Sequence, residues 1–318
     1  MKSIVQDILY SRTKLLLVLL LLTLVGFSFA SKYFLTFDNI LGSTQFGAVL
    51  ALVSIGQALV WLAGGEGIDL SVGTIVSFAG VILGVSYKAG LNFGVCIVLA
   101  ILVGVCCGII NGLLCAVVKL PALIGTLGTQ FIFGSLALYL TGGRPISGFP
   151  KYFEKLSLDS TWFIPNQILF VVLPIALLTF FIVYKTKAGR KLYLIGTNDV
   201  AGRFSAINPV KVRFMAYSIS GLLAGIGAVI MCSWLMTAKA NAGDGLDMQS
   251  ITVVALGGIG VTGGQGNLLG VVLGILIIIY LNSGMDFSGI NSIWKLAIQG
   301  IILIFAVALN QFAIQKKK

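Results

Sequence analysis

Two six-residue segments carry the carboxylates best placed for chemistry: Gly65-Glu66-Gly67-Ile68-Asp69-Leu70 and Gly243-Asp244-Gly245-Leu246-Asp247-Met248. They agree at every position by identity or conservative exchange, and each sets an aspartate just ahead of an apolar run. The apolar runs themselves hold only neutral hydrogen-bonding groups, among them Ser71, Asn111, Thr126, Thr129 and Gln249. Two carboxylates among hydroxyls and amides can hydrogen-bond a hydroxyl-rich solute. They do not form a nucleophile–base pair, because the chain has no histidine, the usual general base and the commonest transition-metal ligand. The five cysteines (Cys96, Cys106, Cys107, Cys115 and Cys232) lie inside apolar runs without metal-ligand spacing, as small buried hydrophobes do. Neither a G-x-x-x-x-G-K-[ST] phosphate loop nor a G-x-S-x-G elbow is present. Gly258-Ile259-Gly260-Val261-Thr262-Gly263 matches G-x-G-x-x-G, but that fingerprint needs a strand before it and a helix after it in a soluble βαβ unit. No catalytic residue, metal or cofactor is expected. Asp69 and Asp247 also have a plainer reading, since Asp is favoured near a helix N-terminus.

The elements that must position these groups follow from composition. The 318 residues are 58% hydrophobic and 10% charged, against about 25% charged in a soluble domain. A spanning helix needs about 20 mostly apolar residues, which predicts an all-α polytopic membrane protein. About ten spans are expected, at 14–35, 44–63, 70–87, 93–118, 121–141, 165–184, 214–236, 249–260, 267–282 and 293–313, making one membrane domain over 1–318. The paired aspartate segments predict an inverted repeat relating spans 2–5 to spans 7–10, with one segment at each mouth of a polar path between the repeats. Glycines four apart (Gly104, Gly108 and Gly112; Gly221 and Gly225; Gly270 and Gly274) predict close helix packing in lipid, which leaves room for a narrow gated path.

The net charge of +11 comes from 21 Lys and Arg against 10 Asp and Glu. With no aromatic-interleaved basic patch, it predicts cytoplasmic loops and no nucleic-acid partner. Lys2, Arg12 and Lys14, the loop at 185–213 and the terminal Lys316, Lys317 and Lys318 fall on one side of a ten-span chain, so both termini are expected in the cytoplasm. The loop at 142–164, expected outside, runs against this rule with Arg144, Lys151 and Lys155. Within 185–213, Asn198 and Asp199 can cap a short helix carrying Val200, Ala201, Arg203, Phe204 and Ile207 before Pro209. Such a helix is marginal alone in water and makes sense docked in a partner's groove or lying on the membrane surface.

Five segments then carry a family resemblance. Gly67-Ile68-Asp69-Leu70-Ser71-Val72-Gly73 resembles the GIDLSVG signature of ribose-type bacterial ABC permeases. The stretch from Pro121 through Thr126-Leu127-Gly128-Thr129 and Thr141-Gly142-Gly143-Arg144-Pro145-Ile146 are similar to their P-x-x-x-x-T-L-G-T and TGGRPI segments. Gly196-Thr197-Asn198, Ala201 and Arg203-Phe204-Ser205 resemble their GGN-x-x-AARLSGI segment. Leu256-Gly257-Gly258 with Gly263-Gly264-Gln265-Gly266 resembles their glycine-rich turn. The chain departs from the pattern at Glu66, Thr197, Gly202 and Ala206.

The resemblance implies the permease subunit of an importer in the bacterial cytoplasmic membrane, with a monosaccharide as cargo. Its partners would be a separate cytoplasmic ABC ATPase subunit, an extracytoplasmic solute-binding protein and a second permease subunit, identical or not. The segment from Asn198 to Ile207 would be the coupling helix that enters the ATPase. Asp69, Ser71, Asn111, Thr126, Thr129, Asp247 and Gln249 would line the path. A nucleoside, a sugar-like signal molecule or a branched-chain amino acid is the alternative cargo. The alternative mechanism is an ion-coupled carrier, against which the neutral polar residues of the spans speak.

Overall fold

The computed structural model describes residues 12–291, 294, 295 and 297–305. The expected contributions of Lys2 and of Lys316, Lys317 and Lys318, and the end of the last span, lie outside the described residues. The first half contains α1 (Arg12–Ser28), α2 (Phe37–Phe46), α3 (Ala48–Leu62), α4 (Val72–Lys88), α5 (Phe93–Gly112, prolonged by a π turn at Leu113–Val117) and α6 (Ala122–Thr141). An excursion follows, built from the two-residue strands β1 (Ile146–Ser147), β2 (Ser160–Thr161) and β3 (Ile164–Pro165) and the single turn α7 (Lys155–Leu158). The second half contains α8 (Leu173–Lys185), α9 (Lys187–Thr197), α10 (Asp199–Phe204), α11 (Pro209–Leu235), β4 (Thr237–Ala238), α12 (Leu246–Gly257) and α13 (Leu268–Phe287), with residues 297–305 helical.

Helices lie at the first nine expected span positions, and the described residues 297–305 of the tenth are helical. Among the described residues five helices are long and apolar enough to cross a bilayer, and α2 with α3, bent by 53° at Gly47, makes a sixth if the pair is one broken span. The shorter α4 and α12 have a different geometry. Ser220, near the middle of the 27-residue α11, donates to Asp69 Oδ2 at 3.4 Å just before α4 begins, so α4 starts at mid-depth. Its far end meets the β1–β4 pair, where a Cβ on Gly84 would lie 2.8 Å from that of Ala238. The chain leaves β4, returns to mid-depth and starts α12, with Gly243 N donating to Ser77 Oγ at 2.9 Å. From there α12 runs to the α10 end, where Arg12 Nη2 donates to Ala255 O at 2.9 Å and neutralises its negative terminus.

The two short helices therefore begin back to back at one depth and diverge toward opposite ends. Gly73 and Gly243 touch through their backbones, and a Cβ on Gly73 would lie 3.6 Å from Asp247 N. This is the relation that an inverted repeat requires, but the aspartate segments meet at the centre instead of marking two mouths. Spacing along the chain does not reveal it, because each segment re-enters: 63–71 from the α10 end and 236–245 from the other.

The glycine spacing has the expected consequence. Gly104 and Gly108 of α5 lie against Gly221 and Gly225 of α11, and Cβ atoms there would fall within 3 Å of backbone. The glycines of 258–263 form a turn after α12, with no strand before them. Around it three chain segments meet through glycines. Gly264 N donates to Leu62 O at 3.1 Å, and a Cβ on Gly64 would lie 2.7 Å from Gly196 Cα.

Gly221→Ala is expected to lower stability by about 1–3 kcal/mol through overpacking. Gly128→Ala, where a Cβ meets nothing within 4 Å, is expected to raise it by up to about 1 kcal/mol through helix propensity. Thermal unfolding in detergent checks both.

Candidate functional site: the mid-depth junction and its link to α10

Asp69 is fully buried, and its carboxylate is saturated by local and distant donors. Oδ1 accepts from Ser71 N (3.0 Å), Ser71 Oγ (2.7 Å) and Asn111 Nδ2 (3.2 Å), and Oδ2 from Ser220 Oγ. Asn111, the penultimate residue of α5 before its π turn, also donates to Ser71 Oγ at 2.7 Å and accepts from Thr129 Oγ1 at 2.7 Å. Thr126 Oγ1 accepts from Leu70 N at 3.1 Å. With its amide oriented to satisfy its neighbours, Gln57 donates to Asp69 O (3.2 Å) and accepts from Asp69 N (3.1 Å) and Trp61 Nε1 (3.0 Å). A carboxylate in an apolar interior is tolerated only when paired or fully hydrogen-bonded. Besides the local Ser71, the donors come from Asn111 of α5 and Ser220 of α11, so they also fasten the re-entrant 63–71 segment to those two helices.

Five of the seven expected path residues, Asp69, Ser71, Asn111, Thr126 and Thr129, thus form one network sealed from solvent. Asp247 and Gln249 stand apart from it. Asp247 accepts from Gln130 Nε2 of α6 at 3.3 Å, and Gln249 is half-buried one turn into α12. Half-buried Thr74 lies beside Gly134 of α6. Thr74, Gln130, Asp247 and Gln249 together give α4, α6 and α12 a shared polar, partly open face next to the junction of the two helix N-termini. The Phe78 and Phe133 rings, stacked 6.2 Å apart, border it.

At the other expected site, Asn198 caps α10 by accepting from Val200 N (2.9 Å) and Ala201 N (3.2 Å). Val200, Arg203 and Phe204 face outward, Phe204 at 89% exposure, while Ala201 and Ile207 are half-buried. Asp199 turns inward and forms a bidentate pair with Arg213 of α11, at 2.9 and 2.6 Å. Arg213 Nε also donates to Ala63 O at 3.2 Å, where the 63–71 segment begins. Arg213 is the last residue of the basic loop at 185–213, and no periodicity of the sequence links it to Asp199 or Ala63. Tyr217, whose hydroxyl donates to Ile68 O at 3.3 Å, was missed for the same reason.

The departures at Gly202 and Ala206 have local causes. The Ile195 side chain fills the space that a Cβ on Gly202 would occupy. After α10, Ala206 N donates to Arg203 O and Ile207 N to Gly202 O, both at 3.0 Å, the pattern of a Schellman turn. Ala206 takes the left-handed position of that turn (φ +57°), where glycine is usual.

Asp69→Ala leaves several buried donors unpaired and is expected to cost roughly 3 kcal/mol, while Asp247→Asn, with its one side-chain donor, costs about 1 kcal/mol. Ala206→Gly is expected to stabilise the turn by about 1 kcal/mol, seen as slower proteolysis within 198–208. Thermal unfolding ranks the two aspartate variants.

Residues 39–307 match the family described as branched-chain amino acid transport system / permease component. A Sinorhizobium fredii protein named probable ABC transporter permease y4mJ is 34% identical over 280 residues, 88% of this chain and 83% of that protein. The autoinducer 2 import system permease LsrD of Photorhabdus laumondii is 32% identical, covering 91% of this chain and 88% of its own length. The ribose import permease RbsC of Bacillus subtilis is 33% identical, covering 86% and 84%. No solved structure matches the chain. With this coverage, and with a multi-pass helical bundle around a buried polar junction, the chain belongs to the permease-component family of branched-chain amino acid transport systems and is an ABC transporter permease, a transport subunit and not an enzyme.

Proposed function

We propose that this permease carries a monosaccharide of the ribose type, one molecule at a time, along the polar face of α4, α6 and α12. The observation that carries the reading is the meeting of the α4 and α12 N-termini at mid-depth. It aims two positive helix ends and neutral donors at one region, as transporters with broken helices do. Thr74, Gln130 and Gln249 supply amides and a hydroxyl suited to hydroxyl groups. The face is open on one side, which fits a path completed by a second permease subunit, identical or not. Relatives named for ribose and for autoinducer 2 support an oxygen-rich cargo; the latter keeps a sugar-like signal molecule as the second reading.

In this reading residues 1–318 form one membrane domain, the α10 end faces the cytoplasm with both termini, and the 142–165 excursion faces outward toward a solute-binding protein. The loop at 185–213 holds the coupling helix. Exposed Val200, Arg203 and Phe204 enter a groove of the ATPase subunit, with Asn198, Ala201 and Ile207 shaping the turn. Asp199 has a different task. Its pair with Arg213 makes α10, α11 and the Ala63 carbonyl move together, so displacement of α10 reaches the 63–71 segment and the Asp69 network. Closure of the ATPase would then shift the α4 N-terminus against that of α12 and switch which end of the face is open.

Proteoliposomes containing this chain, its ATPase and its binding protein are expected to accumulate ribose only with ATP. Arg213→Gln is expected to lower that uptake roughly tenfold, a coupling loss near 1.4 kcal/mol, while ATPase association persists. Uptake by the chain alone on an ion gradient would overturn the reading, and leucine outcompeting ribose would change the cargo.

A further inference from the structure

We propose that the outward face of α9, with the last turn of α8, is a binding site for the phosphate of an anionic glycerophospholipid. On α9 the residues Gly189, Leu192 and Ile195 are buried against the bundle, while Lys187, Arg190, Lys191 and Leu194 are exposed. Their spacing of three and four puts these four on a single stripe. Lys185 ends α8 just beside it, so four cations gather within seven residues that contain no acid. The nearest carboxylate along the sequence, Asp199, is paired with Arg213.

A groove of about 390 Å³ runs along the stripe, lined by Val183, Tyr184, Arg190, Tyr193, Leu194 and Thr197. Most of its polar groups already have partners in the protein. Tyr184 OH donates to Asn267 Oδ1 (2.6 Å) and accepts from Leu268 N (2.9 Å). Tyr193 OH donates to Gly266 O (3.0 Å) and Thr197 Oγ1 to Tyr193 O (2.8 Å). The Arg190 guanidinium is the cation that the groove offers, with five donors in a fork suited to a phosphate.

The occupant follows from what the groove continues. Only 11% of the span at Ile168–Lys185, which ends in α8, is buried, the lowest share among the candidate spans of the described residues. Its exposed Leu177, Leu178, Phe181 and Ile182 run directly to Tyr184 and the cations. Acyl chains along α8 would therefore carry their headgroups to Arg190, at the level where tyrosines and basic residues gather in membrane proteins. Docking of the ATPase is the competing use of the same charges. The exposed apolar residues Val200 and Phe204 lie on α10, off this stripe, so the lipid is favoured here.

Native mass spectrometry of the full chain in detergent, titrated with dioleoylphosphatidylglycerol, dioleoylphosphatidylcholine or inorganic phosphate, tests the proposal. Phosphatidylglycerol is expected to bind about tenfold or more tightly than phosphatidylcholine, and to lose that preference in the Lys187→Gln/Arg190→Gln/Lys191→Gln variant. Lys187→Arg/Lys191→Arg is expected to keep it, and millimolar inorganic phosphate to leave it unchanged. Should the triple variant fail to fold, Arg190→Gln alone must weaken phosphatidylglycerol binding, and high salt must reduce the preference in the unmodified chain. Equal affinity for the two lipids, displacement by free phosphate, or full preference in the folded triple variant would overturn the proposal.

Discussion

Any polar group carried into an apolar bundle must find its partner inside that bundle, and in this chain the demand is concentrated on the Asp69 carboxylate. Asp69 is buried from solvent, and its donors come from the adjacent Ser71 and from Asn111 and Ser220 on two other helices. Meeting that demand brings the 63–71 segment inside, starts α4 at mid-depth and leaves room for α12 to start at the same level. The Gly73–Gly243 backbone contact completes the arrangement, since two helix N-termini can meet this closely only where no side chain intervenes.

Tight packing and polar satisfaction divide the work between them. The glycine contacts of α5 with α11 and of α12 with α13 bring backbones together where side chains would hold them apart. Association in lipid lacks a hydrophobic driving force between helices, so close backbone approach and interhelical hydrogen bonds supply it. The Asn39–Ser43–Ser283 cluster, with bonds of 2.9 to 3.2 Å, plays that part between α2 and α13. The Arg213 bridge links this packed bundle to α10 through Asp199 and Ala63.

The membrane class, the positions of the helices, the capping of α10 by Asn198 and the role of the spaced glycines were legible in the residue order. Each depends on neighbours within a turn or on the length of an apolar run, and both are local properties. The similarity of the two aspartate segments was legible too, but their location was not. A re-entrant segment and a loop at the membrane surface have the same composition. Only the distant partners of Asp69 and Gly243, Asn111 and Ser77, each more than 40 residues away, distinguish them.

The sequence by itself therefore determined what the chain is dissolved in, where it is helical and which residues are polar within the apolar runs. Tertiary structure alone decided that Asp69, Ser71, Asn111, Thr126 and Thr129 are sealed in one network while buried Asp247 and half-buried Gln249 border a partly open face. It also decided that Asp199 pairs with Arg213. The physical reason is that hydrogen bonds and close contacts form between groups near in space, and in a bundle of antiparallel helices such neighbours are rarely near in sequence.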